Sequence, residues 1–180
     1  VGYPFQADMT IDDISFLSKL ARQLQKQHNL SRKNTFCTGM SNGGEMCYLM
    51  AYLKPDFFAA FAPIAGLSMQ WSYKKYDAKK PVPLMEVHGT MDKTSKWEGD
   101  PFNEGGWGSY LAVPQAVGYW VAQARCTHEE NLASVKCIFN INQAHLKSVS
   151  RNLLLADNVT IHKYLCLNLT LTFLREKRQK

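Results

Sequence analysis

The last fifty residues of this 180-residue chain contain no glycine, no proline and no tryptophan. Ordinary usage places about six Gly and Pro in a stretch of that length. The absence sets residues 131–180 apart from residues 1–130, which hold all 11 Gly, all 7 Pro and all 4 Trp. Acidic side chains are scarce there as well. Residues 131–180 carry 8 Lys and Arg against 2 Asp and Glu, whereas residues 1–130 carry 13 of each. The formal net charge of +6 therefore belongs to the tail, and the neutral first part gives no basis for a nucleic-acid partner. Long apolar runs are lacking too: none reaches the length of a membrane span, and the chain does not open on a signal-peptide pattern, so no membrane partner is expected. Cysteine is sparse and odd in number, with Cys37, Cys47, Cys126, Cys137 and Cys166. That is too few for a disulfide scaffold, and Cys126-x-His128 with Cys137 matches no common zinc spacing. No metal or other cofactor is expected.

What is present is enough for one folded domain: 46% hydrophobic and 20% charged residues. Two pieces are expected, a folded domain over residues 1–130 and a divergent basic tail over 131–180. Asp12 to His28 reads as an amphipathic helix, with Ile14, Leu17, Leu20, Ala21 and Leu24 at spacings of three and four. Thr35 to Thr38 is a short apolar strand ending at Gly39, and Glu45 to Leu53 is helical up to Lys54-Pro55. Phe57 to Ile64 and Leu84 to Val87 read as further buried strands, and Val113 to Ala124 as a helix. Short apolar strands alternating with helices predict an α/β fold, a mostly parallel sheet with helices on both faces.

Gly39-Met40-Ser41-Asn42-Gly43 fits G-x-S-x-G between that strand and that helix. A sharp strand-to-helix turn lifts the Ser41 hydroxyl clear of the sheet edge, and flanking glycines remove Cβ atoms that would clash there. Asn42 would then offer its backbone N–H to a developing oxyanion at the helix N-terminus. A nucleophilic serine needs a base, and the base an orienting acid, in the chain order Ser, Asp or Glu, His. Asp92 follows a strand and the turn His88-Gly89-Thr90, which suits the acid; a turn-capping aspartate is the plain alternative. His88 precedes the acid and reads as a turn histidine bonded to backbone.

Four blocks, Asp12-Asp13-Ile14-Ser15-Phe16-Leu17, Gly39 to Gly44, Ala62-Pro63-Ile64-Ala65-Gly66 and His88-Gly89-Thr90-Met91-Asp92, occur in one order. Together they resemble the polyhydroxybutyrate-depolymerase-like and feruloyl-esterase family of α/β-hydrolases over about residues 1–130. The resemblance implies a serine esterase with Ser41 as nucleophile and Asp92 as triad acid. It also implies substrates such as feruloyl or acetyl esters on plant polysaccharides, or short polyesters, and a secreted or periplasmic setting. The family places an early strand and an oxyanion loop ahead of the Asp12 helix, and neither has a counterpart in these residues. A partial fold lacking its N-terminal strands is therefore expected, with an open sheet edge that favours association.

The family's catalytic histidine lies in a Gly-Gly-His-x-Trp-Pro type segment, and nothing after residue 130 resembles it. By order the candidates are His128, His145 and His162. His128 reads as a surface residue. His162 falls in His162-Lys163-Tyr164-Leu165, which continues the resemblance one strand before the family's base, and it is the residue assigned here. The tail's Asn, Lys, Ile and Leu richness is what an AT-rich coding region yields in a shifted frame; a genuine extension with elements at Asn152–Ala156 and Val159–Leu165 is the alternative. A chain without a working base would be an inactive relative that binds a carbohydrate or ester. Trp97 and Trp107 lie in the loop after Asp92, where they would stack on a sugar or phenolic ring or else pack the loop onto the body.

Overall fold

The computed structural model describes residues 10–126 and the backbone of a strand at 159–163. Helix α1 spans Asp13–Gln27, and a short 3-10 turn at Arg32–Asn34 leads into strand β1, Cys37–Met40. Helix α2, Asn42–Leu53, strand β2, Phe61–Ile64, and helix α3, Gln70–Lys75, follow. Strand β3 is Met85–Gly89, helix α4 is Val113–Gln123, and strand β4 is Val159–Lys163. The four strands form one sheet in the order β1-β2-β3-β4. The first three are parallel, with Met40 opposite Ile64 and Ile64 opposite Val87. Parallel neighbours need a crossover between them, and α2 supplies the first. This is a partial α/β fold, as the alternation of short apolar strands and helices predicts.

The fourth strand is antiparallel to β3 and comes from the tail, over part of the Val159–Leu165 element. Residues 131–158, which include His145 and the Asn152–Ala156 element, lie outside the described residues, as does His128.

Helix α1 begins where its chemistry dictates. The Asp12 carboxylate accepts a 2.9 Å hydrogen bond from the Ser15 N–H, a side-chain N-cap. The hydrogen bonds from Ser15 hold that carboxyl below its ordinary value. Ile14 and Leu17 pack against the main core, whereas Phe16, Leu20 and Leu24 are 61%, 40% and 41% exposed. The apolar stripe read from the sequence is therefore wider than the face that is buried here. Helix α2 is the opposite case. Cys47 to Tyr52 are all buried, and Tyr48, Met50, Ala51 and Tyr52 build the core with Phe61, Val82 and Trp120. The Tyr52 ring lies 4.8 Å from that of Trp120 on α4, close enough for a favourable ring pair.

Helix α3 was not visible in the sequence pattern, because its six residues hold less than two turns and only Ser72 is buried. Strand β2 is shorter than the apolar run that predicts it. Phe57 is buried without being part of the strand.

Candidate active site

The parallel strands end together. The Ser41 N–H donates to the Ile64 carbonyl at 2.9 Å, and the Ala65 N–H donates to the Val87 carbonyl at 2.8 Å. Ser41, the Ala65-Gly66 turn and the turn after Gly89 therefore share the C-terminal edge of the sheet. That is the edge at which open α/β sheets carry their ligands.

Ser41 sits between the last residue of β1 and the first of α2, with φ 54° and ψ −118°. An L-residue with a side chain rarely adopts this conformation, and such strain gathers at functional sites. Serine in the N-cap position normally bonds its hydroxyl to the first turn, yet here no side-chain cap bond forms, and the residue is exposed. Asn42 opens α2, so its backbone N–H lies at the positive end of the helix.

The glycines around this turn have separate tasks. A Cβ on Gly39 would lie 2.6 Å from the Gly43 carbonyl carbon, and one on Gly44 would lie 2.7 Å from the Gly66 Cα. The first contact lets helix α2 fold back over β1; the second seats it on the end of β2. A Cβ on Gly43 would meet open space. The expectation that both glycines of the motif relieve a clash thus holds for Gly39 and not for Gly43, while Gly44 and Gly66 form a close contact that the motif does not name. Ala65 is a second strained residue at this edge, with φ 47°.

Asp92 lies three residues beyond β3, half-buried, and its N–H donates to the Gly89 carbonyl at 3.1 Å. Its Oδ1 accepts from the Thr94 and Ser95 N–H groups, at 2.8 and 2.9 Å. Asp92 therefore caps its own turn. Both bonds fall on the same oxygen, so an acid role through Oδ2 is compatible with that cap. Strand β2 stands between the strands that lead to Ser41 and Asp92.

Behind Asp92 runs a buried polar chain that sequence reasoning did not find. The Tyr48 hydroxyl donates to Glu86 Oε2 at 2.6 Å, Glu86 Oε1 meets His88 Nδ1 at 3.0 Å, and His88 Nε2 meets the Ser95 carbonyl at 2.7 Å. Burial raises the Glu86 carboxyl above its ordinary value, outweighing the hydrogen bonds from His88 and Tyr48. Burial works to lower His88, but its bonds to Glu86 and Ser95 outweigh that and raise it. Both ring nitrogens are occupied and the ring is buried, so His88 is not placed to serve Ser41 as base. The available signal was the alternation on β3, where Glu86 and His88 share one strand face two residues apart.

The two tryptophans part company. Trp97 is half-buried and its ring lies 6.1 Å from that of His88, edge to face. Trp107 is 42% exposed, and so are Met40, Met91 and Phe102, at 49%, 75% and 83%. Met40 precedes Ser41 and Met91 precedes Asp92, so apolar side chains stand beside both polar residues. His162 pairs with Glu86 in β4, three positions from the Gly89–Val159 end of the ladder. Cys37 and Cys47 are free thiols 3.6 Å apart beneath the turn. Cys126 is disulfide-bonded.

Parallel strands that end together, a strained serine between strand and helix, and an aspartate in the turn after β3 belong to a partial α/β protein. No family model matches the chain. Over 86 residues it is 31% identical to a bifunctional acetylxylan esterase/xylanase of Neocallimastix patriciarum, a match that takes in 48% of this chain and 12% of that protein. The chain thus spans a small part of the length of this curated relative, and the match supports a partial, carbohydrate-esterase-like relationship.

Proposed function

We propose that this chain carries the nucleophile and acid of a serine carboxyl-ester hydrolase acting on esters borne by polysaccharides. The observation that carries the reading is the backbone of Ser41, held at φ 54° between β1 and α2 with its hydroxyl withdrawn from helix capping. In this reading the Ser41 Oγ attacks the ester carbonyl carbon while an imidazole takes its proton. The Asn42 N–H steadies the tetrahedral oxyanion, the sugar alcohol leaves with the proton, and water then releases the acid. Asp92 Oδ2 orients the imidazole. The exposed side chains of Met40, Met91 and Trp107 are the candidates to receive the acyl group or the sugar ring. Acetyl esters are the favoured class, since the related protein is an acetylxylan esterase/xylanase; feruloyl esters and short polyesters are the other substrates to test.

The base is assigned to His162, whose place in β4 opposite Glu86 also favours a second reading. A histidine in the body of a strand is not at the edge that holds Ser41, and such a chain would bind an ester without turning it over efficiently. The test is acid release from acetylated xylan, p-nitrophenyl acetate and methyl ferulate by the chain, Ser41→Ala and His162→Ala. The esterase reading expects slow release on at least one substrate, lost to buffer background in Ser41→Ala, and weak labelling of Ser41 by a fluorophosphonate. Release unchanged by Ser41→Ala overturns it. Retained binding to xylan without Ser41-dependent release supports the second reading.

A further inference from the structure

We propose that His88 is the positioning residue that sets the Asp92 carboxylate. It acts by fixing the Ser95 carbonyl, on the other side of the Ser95 Cα from the N–H that Asp92 holds. The inference rests on the reading of Asp92 as the acid, and it adds the device that holds that acid in place.

The geometry is a chain with defined proton positions. A backbone carbonyl only accepts, so the 2.7 Å contact between His88 Nε2 and the Ser95 carbonyl requires a proton on Nε2. The opposite nitrogen, Nδ1, is 3.0 Å from Glu86 Oε1, and Glu86 Oε2 accepts from the Tyr48 hydroxyl at 2.6 Å. His88 and Glu86 are 2% and 1% exposed, so neither has water as a substitute partner, and breaking one bond strands a buried polar group.

The Ser95 backbone is thereby held on both sides of its Cα, in two successive peptide groups. Its carbonyl receives the His88 proton, and its N–H is given to Asp92 Oδ1 at 2.9 Å. Thr94 gives a second N–H to the same oxygen at 2.8 Å. With Oδ1 committed to the turn, the carboxylate plane is set and Oδ2 becomes the oxygen that an imidazole meets. Tyr48 lies on α2, the helix that begins beside Ser41, so the chain from Tyr48 through Glu86 and His88 to Ser95 ties the nucleophile's helix to the acid's turn. A carboxylate fixed in this way loses little freedom when it orients a base.

Two substitutions separate the contacts of the ring. Asparagine places a polar atom near the position of Nδ1 and falls short of Ser95; glutamine places an amide donor near the position of Nε2. With the full 180-residue chain, hydrogen exchange at the Thr94 and Ser95 amides should speed up at least tenfold in His88→Asn and stay close to the unsubstituted rate in His88→Gln. Fluorophosphonate labelling of Ser41 should fall in His88→Asn and recover in His88→Gln. Equal exchange at Thr94 and Ser95 in the two variants overturns the proposal.

A measurement on the unsubstituted chain decides the matter where a variant does not fold. The imidazole nitrogen shifts should show a protonated Nε2 coupled through the hydrogen bond to the Ser95 carbonyl carbon, and an unprotonated Nε2 overturns the assignment. If Ser41 is not labelled in any form, the esterase reading fails. The exchange contrast still decides whether His88 holds the Asp92 turn.

Discussion

Helices α1 and α2 flank β1 in the chain and have almost opposite surroundings. Helix α1 is amphipathic, capped by Asp12, and buries only part of its apolar stripe, leaving Phe16, Leu20 and Leu24 exposed. Helix α2 is buried on nearly all sides, has no capping side chain and begins beside a strained serine. The first is held by rules that are local in the chain. The second is held by its neighbours: the Gly44–Gly66 contact, the Tyr52–Trp120 ring pair and the Tyr48–Glu86 hydrogen bond. Local capping and tertiary support have thus been given to different helices, and the candidate site adjoins the one that tertiary contacts support.

The sharpest way to break this contrast is to truncate one apolar residue on each helix. Met50 has no exposed surface, so Met50→Ala should cost about 2–5 kcal/mol. Leu24→Ala, at a side chain 41% exposed, should cost less than about 1 kcal/mol. Urea unfolding midpoints measure both, and equal losses would remove the distinction.

The glycines give the next largest effect. Gly39→Ala and Gly44→Ala drive a Cβ into backbone and should each cost about 1–3 kcal/mol. Gly43→Ala meets open space inside a helix and should be neutral or stabilising by up to about 1 kcal/mol. A Gly43→Ala chain as unstable as Gly39→Ala would show that the motif's second glycine is needed for the backbone after all.

The buried acid and histidine on the α2 side impose a pH dependence opposite in sign to that of the Asp12 cap on α1, whose lowered carboxyl favours folding at higher pH. Glu86 and His88 both bind protons more tightly in the folded chain than at their ordinary values of 4.5 and 6.5. The folded state then holds more protons than the unfolded one, and stability falls as pH rises. The Glu86 contribution is full below pH 4.5 and the His88 contribution below pH 6.5; each is lost as pH rises through its raised folded value. Melting temperature should therefore decline from mildly acid to mildly alkaline pH, and Glu86→Gln should flatten that slope. A slope unchanged by Glu86→Gln would assign the dependence elsewhere.

The smallest effect is expected at the outer edge of β1, which pairs only with β2 among the described residues. Phe36, just before this strand, and Met40, its last residue, stand exposed. An open edge with apolar side chains favours association, and a lysine there opposes it. Light scattering should show concentration-dependent association of the chain, reduced in Phe36→Lys. A monomer at all concentrations would remove the argument from the open edge.

Much of the fold was legible because its signals are local. Residues 12 to 28 carry helical periodicity and an acidic N-terminus, and α1 spans Asp13–Gln27. Gly39 to Gly43 sits between an apolar strand and a helix, and the strained turn is there at Ser41. Helix α2 itself is poorly amphipathic, because a helix buried all round has no polar face to mark its period. Leu20 and Leu24 read as core because periodicity identifies an apolar face without showing what covers it.

By itself, the sequence determined the alternation of strands and helices, the capped start of α1, and the turn that turns Ser41 out of the sheet. These depend on the preferences of a few neighbouring residues, and the chain carries them wherever it goes. Only the tertiary structure decided that Gly44 meets Gly66, that Glu86 bridges Tyr48 to His88, and that His88 holds the Ser95 carbonyl behind Asp92. The Gly44–Gly66 and Tyr48–Glu86 contacts join residues far apart in the chain, and no periodicity records them; Glu86 and His88 share a strand face, but their partners are set by what is packed over that face. Their strength comes from burial, which deprives each polar group of water and leaves it one geometry in which it is satisfied.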